Sequence, residues 1–222
     1  MKKRKLIIIT IVLICCFFMA IVDAMKAQYL VKSIFKILLF LIFPIAYSRY
    51  DKSVNLKLLF KPNKQGLAIA FLSGISVFAV ILGAYFLLGR FFNLSNITLS
   101  LTENIGVNKN NFLWISIYIS FINSLLEEFF FRGFSFFTLK ENSSRKFAYI
   151  FSSSAFALYH VAIMIGWFDI TLFALTLSAL FIGGLIFNYF NERYKNIYIS
   201  WLIHMFANFA INSIGFILFG MV

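Results

Sequence analysis

Apolar residues dominate seven stretches of the chain, each long enough to cross a membrane as a helix. The stretches lie at about residues 6–22, 29–48, 66–88, 112–139, 147–165, 170–190 and 197–219. A hydrocarbon core about 30 Å thick requires roughly 20 consecutive, mainly apolar residues. The pattern therefore predicts an all-α, polytopic transmembrane bundle of about seven helices, with six to eight as the range.

The polar segments between these stretches are short. The two longest, residues 49–64 and 89–111, are too small for a second domain. We therefore expect residues 1–222 to form a single integral-membrane domain. Lys32 and Lys36 make the second stretch the least secure of the seven predicted spans, because each ammonium group would have to extend toward one membrane interface.

Composition and charge agree with a membrane protein. The chain is 62% hydrophobic and only 13% charged, about half the charged fraction of a typical soluble domain. Its net charge of +12 comes from basic clusters in the short connections, so nucleic acid is not an expected partner. The connections on the N-terminal side of the bilayer would carry 14 basic residues, against three on the opposite side, or five if Lys32 and Lys36 are added there. This asymmetry predicts a cytoplasmic N-terminus.

Two further expectations concern location. The first helix also resembles a signal peptide, but a retained anchor is the favoured interpretation. The bias toward Phe, Ile and Lys indicates a bacterial plasma membrane.

Asp169 comes directly before the sixth stretch and is expected to cap that helix at the interface.

One apolar run carries three ionisable residues within six positions: Glu127, Glu128 and Arg132. An ionisable side chain in hydrocarbon is costly unless it is paired or faces a wet cavity. On a regular helix Glu128 and Arg132 share a face, whereas Glu127 points about 100° away. Arg132 is therefore expected to neutralise Glu128 and leave Glu127 free.

Both histidines of the chain, His160 and His204, also lie inside apolar runs, and Asn208 follows His204 by four residues. At about 1.5 Å of rise per residue, these side chains and Glu127 reach the middle or inner half of the bilayer. The sequence predicts that they meet from three helices.

Such a cluster is suited to hydrolysis without a covalent nucleophile. A buried carboxylate can act as general base toward water, with one histidine orienting that water. A second histidine and an amide can donate hydrogen bonds to the oxyanion formed at a peptide carbonyl. Alternatively, Glu127, His160 and His204 could bind zinc, and spacing alone does not distinguish the two.

These residues form three ordered motifs that resemble those of the CPBP intramembrane proteases. The motifs are Glu127-Glu128-x-x-x-Arg132, Phe156-x-x-x-His160 and His204-x-x-x-Asn208. That family includes the type II CAAX prenyl endopeptidases and the bacterial Abi proteins associated with bacteriocin processing and self-immunity. The resemblance covers about residues 112–215, and the first three helices carry no motif.

The resemblance implies an intramembrane endopeptidase with assigned roles for the motif residues. Glu127 resembles the catalytic base and His160 its water-activating partner, while His204 and Asn208 resemble the oxyanion donors. Glu128 and Arg132 resemble the structural pair of the first motif. Members have been described with and without a catalytic metal, so no cofactor is required on the favoured interpretation and zinc is the alternative.

The expected partners are the lipid bilayer and a peptide or membrane-protein substrate, such as a leader or bacteriocin-like peptide. A non-catalytic membrane adaptor or bacteriocin-immunity protein is the main alternative. A proton-coupled transporter is less favoured, because the chain shows no inverted repeat and its membrane carboxylates are concentrated in one helix.

Overall fold

The computed structural model is a bundle of α-helices. It describes residues 2–52, 54, 56–61 and 64–222, apart from the side chains at positions 2, 57 and 58. Within these residues we number eight helices and find no strand. The helices are α1 (Lys2–Ala24), α2 (Tyr29–Tyr50), α3 (Lys64–Leu88), α4 (Ser95–Ile105), α5 (Phe112–Asn142), α6 (Arg145–Met164), α7 (Ile170–Tyr194) and α8 (Tyr198–Leu218).

Seven of the eight helices in the described part of the chain are long and apolar enough to cross a membrane. The predicted seven-span, all-α fold is therefore confirmed. Asp169 caps α7 as expected, since its Oδ1 accepts from the backbone N–H groups of Thr171 and Leu172, each at 2.9 Å.

Helix α4 was not predicted. It lies within residues 89–111, which the apolar pattern presents as a loop, because 11 residues are too few to give a spanning signal. The helix ends at Gly106, whose φ of +71° is a left-handed conformation that favours glycine. Ile105 and Val107 then pack beside Phe112 and Phe219, so a small apolar cluster holds α4 against the ends of α5 and α8.

Helix α5 occupies the centre of the bundle. Its rings at Phe130, Phe131 and Phe134 are fully buried, and Phe130 stacks on Phe40 of α2 with ring centroids 4.1 Å apart. Two segments of α5, Ile119–Asn123 and Glu128–Phe137, are π-helical. Such wide turns are rare and often occur at functional sites.

The lysines of α2 correct one expectation. Lys32 and Lys36 are buried rather than extended to an interface. Lys32 Nζ lies 2.8 Å from Asp23 Oδ1 of α1, and Lys36 is paired with α5. Internal ion pairs, which a single apolar run cannot reveal, make these positions compatible with a membrane helix.

Candidate active site

Four helices bring ionisable side chains together inside the bundle. Glu127 of α5 is 2% exposed and lies between the two π-helical segments. Its Oε2 is 3.8 Å from Nε2 of His160 on α6 and 3.8 Å from Nε2 of His204 on α8. The structure thus joins three of the four predicted site residues around one carboxylate oxygen.

Each imidazole is held by its other nitrogen. His160 Nδ1 lies 2.7 Å from the Phe156 carbonyl oxygen, and His204 Nδ1 lies 2.9 Å from Glu128 Oε1. A carbonyl and a carboxylate can only accept, so each Nδ1 carries the proton and donates. In the neutral imidazoles, both Nε2 atoms therefore present a lone pair toward Glu127.

Glu128 and Arg132 form the ion pair that the sequence predicted. Arg132 Nη1 lies 3.1 Å from Glu128 Oε1, and both side chains are fully buried. The guanidinium also lies 4.0 Å from the ring centre of Phe156 and 4.9 Å from that of Phe187, close enough for cation–π attraction. Because Glu128 also accepts from His204, the pair fixes the orientation of that imidazole.

Glu127 is not free, and its partner was missed. Lys36 Nζ of α2 lies 3.0 Å from Glu127 Oε1. Asn123, one turn earlier on α5, donates from Nδ2 to the same oxygen at 2.9 Å and accepts from Lys36 through Oδ1. A lysine inside an apolar run is itself a signal of function, although its position does not reveal which acid it meets.

Asn208 has a different neighbour. Its Nδ2 donates to the Ile119 carbonyl oxygen of α5 at 3.2 Å, and Asn212 donates in the same way to Ser116 and Ser120. Among the contacts of the described residues, the Asn208 amide makes none with Glu127. Both asparagines connect α8 to the first half of α5.

Metal binding by Glu127, His160 and His204 can be tested on their surroundings. In the described part of the chain, no group of three or more His, Cys, Asp or Glu is arranged to hold a metal ion. The Lys36 ammonium lies 3.0 Å from Glu127 Oε1, which disfavours bidentate binding of a metal by this carboxylate and leaves Oε2 alone facing the imidazoles. The described residues therefore form no ready-made zinc site.

A carboxylate and two imidazoles thus lie together among seven apolar helices, and one comparison with known families bears on this arrangement. The family model described as type II CAAX prenyl endopeptidase Rce1-like matches residues 109–210. This segment, a little under half of the chain, includes all three motifs, and the match supports their resemblance to the CPBP proteases. No curated protein and no solved structure matches the chain.

Proposed function

We propose that the protein is an endopeptidase that cleaves peptide bonds within the membrane, with Glu127 as general base. The observation that carries this proposal is the position of Glu127 Oε2, which is 3.8 Å from both imidazole Nε2 atoms. These separations are too long for direct hydrogen bonds and suit a bridging water molecule. Such a water can donate its two protons to Glu127 Oε2 and His160 Nε2, which orients its oxygen for attack.

The steps follow from these positions. Water donates one proton to Glu127 Oε2 while its oxygen attacks the carbonyl carbon, and His160 Nε2 accepts a hydrogen bond from the remaining O–H. The tetrahedral intermediate then loses its C–N bond, and the proton held by Glu127 passes to the amine. The products are a new carboxyl terminus and a new amino terminus.

The oxyanion requires a donor, and His204 can become one. Its neutral Nε2 has no proton, but Glu127 Oε2 can pass on the proton taken from water to His204 Nε2, 3.8 Å away. The imidazole then donates from Nε2 to the oxyanion while its Nδ1–H remains bonded to Glu128, and the proton returns through Glu127 to the amine. Asn208 can assist only if substrate binding draws its amide away from the Ile119 carbonyl.

Charge balance supports a reaction without metal. Glu127 and Glu128 carry two negative charges, and their partners Lys36 and Arg132 carry two positive charges. With neutral imidazoles the cluster is therefore neutral, which is the favourable condition for buried charges. A zinc ion would add two uncompensated charges. Stoichiometric zinc in active, purified protein, with activity lost on its removal, would refute this part of the proposal.

The substrate we propose is a membrane-associated, leader or bacteriocin-like peptide, and the location is a bacterial plasma membrane with the N-terminus in the cytoplasm. The match to a prenyl endopeptidase family supports a peptide that is presented at or within the lipid layer. The seven apolar helices support access from that layer.

The test compares peptide termini in membranes and medium from cells that express the native chain or Glu127→Gln at matched levels. Glutamine keeps the shape of the side chain but cannot act as the base. Glu103→Gln is the control, because Glu103 is an exposed carboxylate on α4. We expect a defined set of termini to disappear only in Glu127→Gln. Identical profiles would refute the protease and favour an adaptor or immunity role.

A further inference from the structure

The two lysines of α2 form buried ion pairs of similar geometry in different surroundings. Lys32 meets Asp23 at 2.8 Å, with side chains 7% and 3% exposed, and Lys36 meets Glu127 at 3.0 Å, with side chains 10% and 3% exposed. The lysines lie one helical turn apart. Only the second pair includes a carboxylate that faces two imidazoles.

The Lys36 contact fixes which oxygen of Glu127 is available. Lys36 and Asn123 both donate to Oε1, so the carboxylate cannot rotate without breaking two hydrogen bonds. Oε2 is left to face His160 and His204. Lys36 is itself held by its bond to Asn123 and lies over the Tyr159 ring, 5.0 Å from its centre.

We propose that Lys36 is a positioning residue for the reaction, an inference that rests on the proposed function. Its ammonium holds Oε1 of Glu127, directs Oε2 toward the bridging water, and supplies the positive charge that a metal ion would otherwise provide. Lys36 stands outside the matched segment 109–210, so the site is completed by a helix that carries none of the motifs.

The experiment uses the fact that the chain has only two histidines. Protein labelled with ¹³C at the imidazole Cε1 gives one NMR signal from each ring, and both rings lie at the site. In Lys36→Met, Glu127 loses a partner on Oε1, so we expect both signals to shift. We also expect turnover to fall about 100-fold, the effect of displacing a catalytic group by about 1 Å, with a smaller change in KM.

Two further variants separate position from general stability. Lys36→Arg keeps the positive charge and should restore part of the turnover and move the histidine signals less. The double variant Asp23→Asn with Lys32→Met removes the neighbouring pair without leaving an unpaired buried charge. It should leave both signals and turnover as in the native chain, whatever it does to the unfolding temperature.

The outcomes are distinct. Unchanged histidine signals in Lys36→Met would refute the positioning role, and equal shifts in the Asp23/Lys32 double variant would refute it as well. If those signals are unchanged while Glu127-dependent cleavage is clear, the protease stands and only the role of Lys36 is wrong. If native and Glu127→Gln membranes yield the same termini, the protease fails, and with it the reaction that Lys36 is proposed to serve.

Discussion

Helices α3 and α5 are both long enough to cross a membrane, yet the protein uses them in opposite ways. In the apolar part of α3, 11% of the residues are buried inside the protein, against 44% in the apolar part of α5. Helix α3 has no Asp, Glu, Lys, Arg or His between Gln65 and Leu88. Helix α5 carries a buried carboxylate pair, an arginine and two π-helical segments.

The difference shows where to look for chemistry in a membrane bundle. Hydrophobicity identifies both helices as spans but does not tell a lipid-facing helix from a central one. Polar residues within the apolar run distinguish the two kinds of helix, because a polar group at membrane depth must have a partner inside the protein. The predictions that follow test this contrast, beginning with the largest expected effect.

The largest effect is expected from the loss of an imidazole that faces α5. Replacing His160 by alanine removes the acceptor for the second water proton, so we expect turnover to fall about 10²–10⁴-fold. Cleavage of a substrate identified from the peptide termini measures the effect. Tyr85→Phe on α3 is the matched control and should retain native turnover. Native turnover in His160→Ala would contradict the proposed mechanism.

Arg132→Met tests the buried charge pair of α5. The change leaves the buried Glu128 charge without its counter-ion, although His204 still donates to it, and we expect a loss of about 3–5 kcal/mol in the free energy of unfolding. Denaturation in detergent micelles measures it. Adding Glu128→Gln should recover most of the loss, since neither charge then remains. Arg90→Met, at an exposed position two residues beyond the end of α3, should change stability by less than about 0.5 kcal/mol.

Two glycines of α3 test how far this helix faces lipid. A Cβ at Gly74 would meet the Phe206 ring of α8, whereas one at Gly83 has no atom of the described residues within 4 Å. Gly74→Val should therefore cost about 1–3 kcal/mol through overpacking, and Gly83→Val should cost much less. Thermal unfolding of the two variants compares them directly. Equal losses would show that Gly83 also packs against protein.

The smallest effect concerns polar contacts between helices. Asn212 of α8 donates to the Ser116 carbonyl and to Ser120 Oγ, at 3.1 and 3.0 Å. Asn212→Leu should cost about 0.6–1.7 kcal/mol, the range for such bonds in membranes. Ser76 of α3 is exposed, and among the described residues its hydroxyl donates to the Leu72 carbonyl of its own helix, so Ser76→Ala should be nearly neutral. Equal unfolding temperatures for both variants would contradict the prediction.

The sequence predicts the spans well, because each depends on local hydrophobicity alone. It also predicts the Glu128–Arg132 pair and the approach of His160 and His204 to Glu127, since motif order and depth limit where these residues can meet. The Lys36 contact could not be predicted, because it joins residues 91 positions apart. Pairing across helices depends on which faces meet, and a hydrophobic run carries no information on that.

The roles assigned to the individual residues of the site stay predictions. Asn208 shows why spacing is insufficient, since a regular repeat places it one turn beyond His204 but does not specify what lies opposite. In the structure, the backbone of a π-helical segment lies there and accepts its hydrogen bond. The register of α5 deviates there from the 3.6-residue repeat of a regular helix, so spacing in the sequence does not show which atoms face α8.

That register makes the number of residues in α5 as important as their identity. A π-helical turn holds one residue more than an α-helical turn, so removing one residue from Ile119–Asn123 would make the segment α-helical while the helix on either side kept nearly the same orientation. Removing one residue from the regular segment Phe112–Tyr118 would instead rotate the residues before it by about 100° relative to Glu127. Inherited change in the length of α5 is therefore expected at its π-helical segments, and substitution alone in its regular ones.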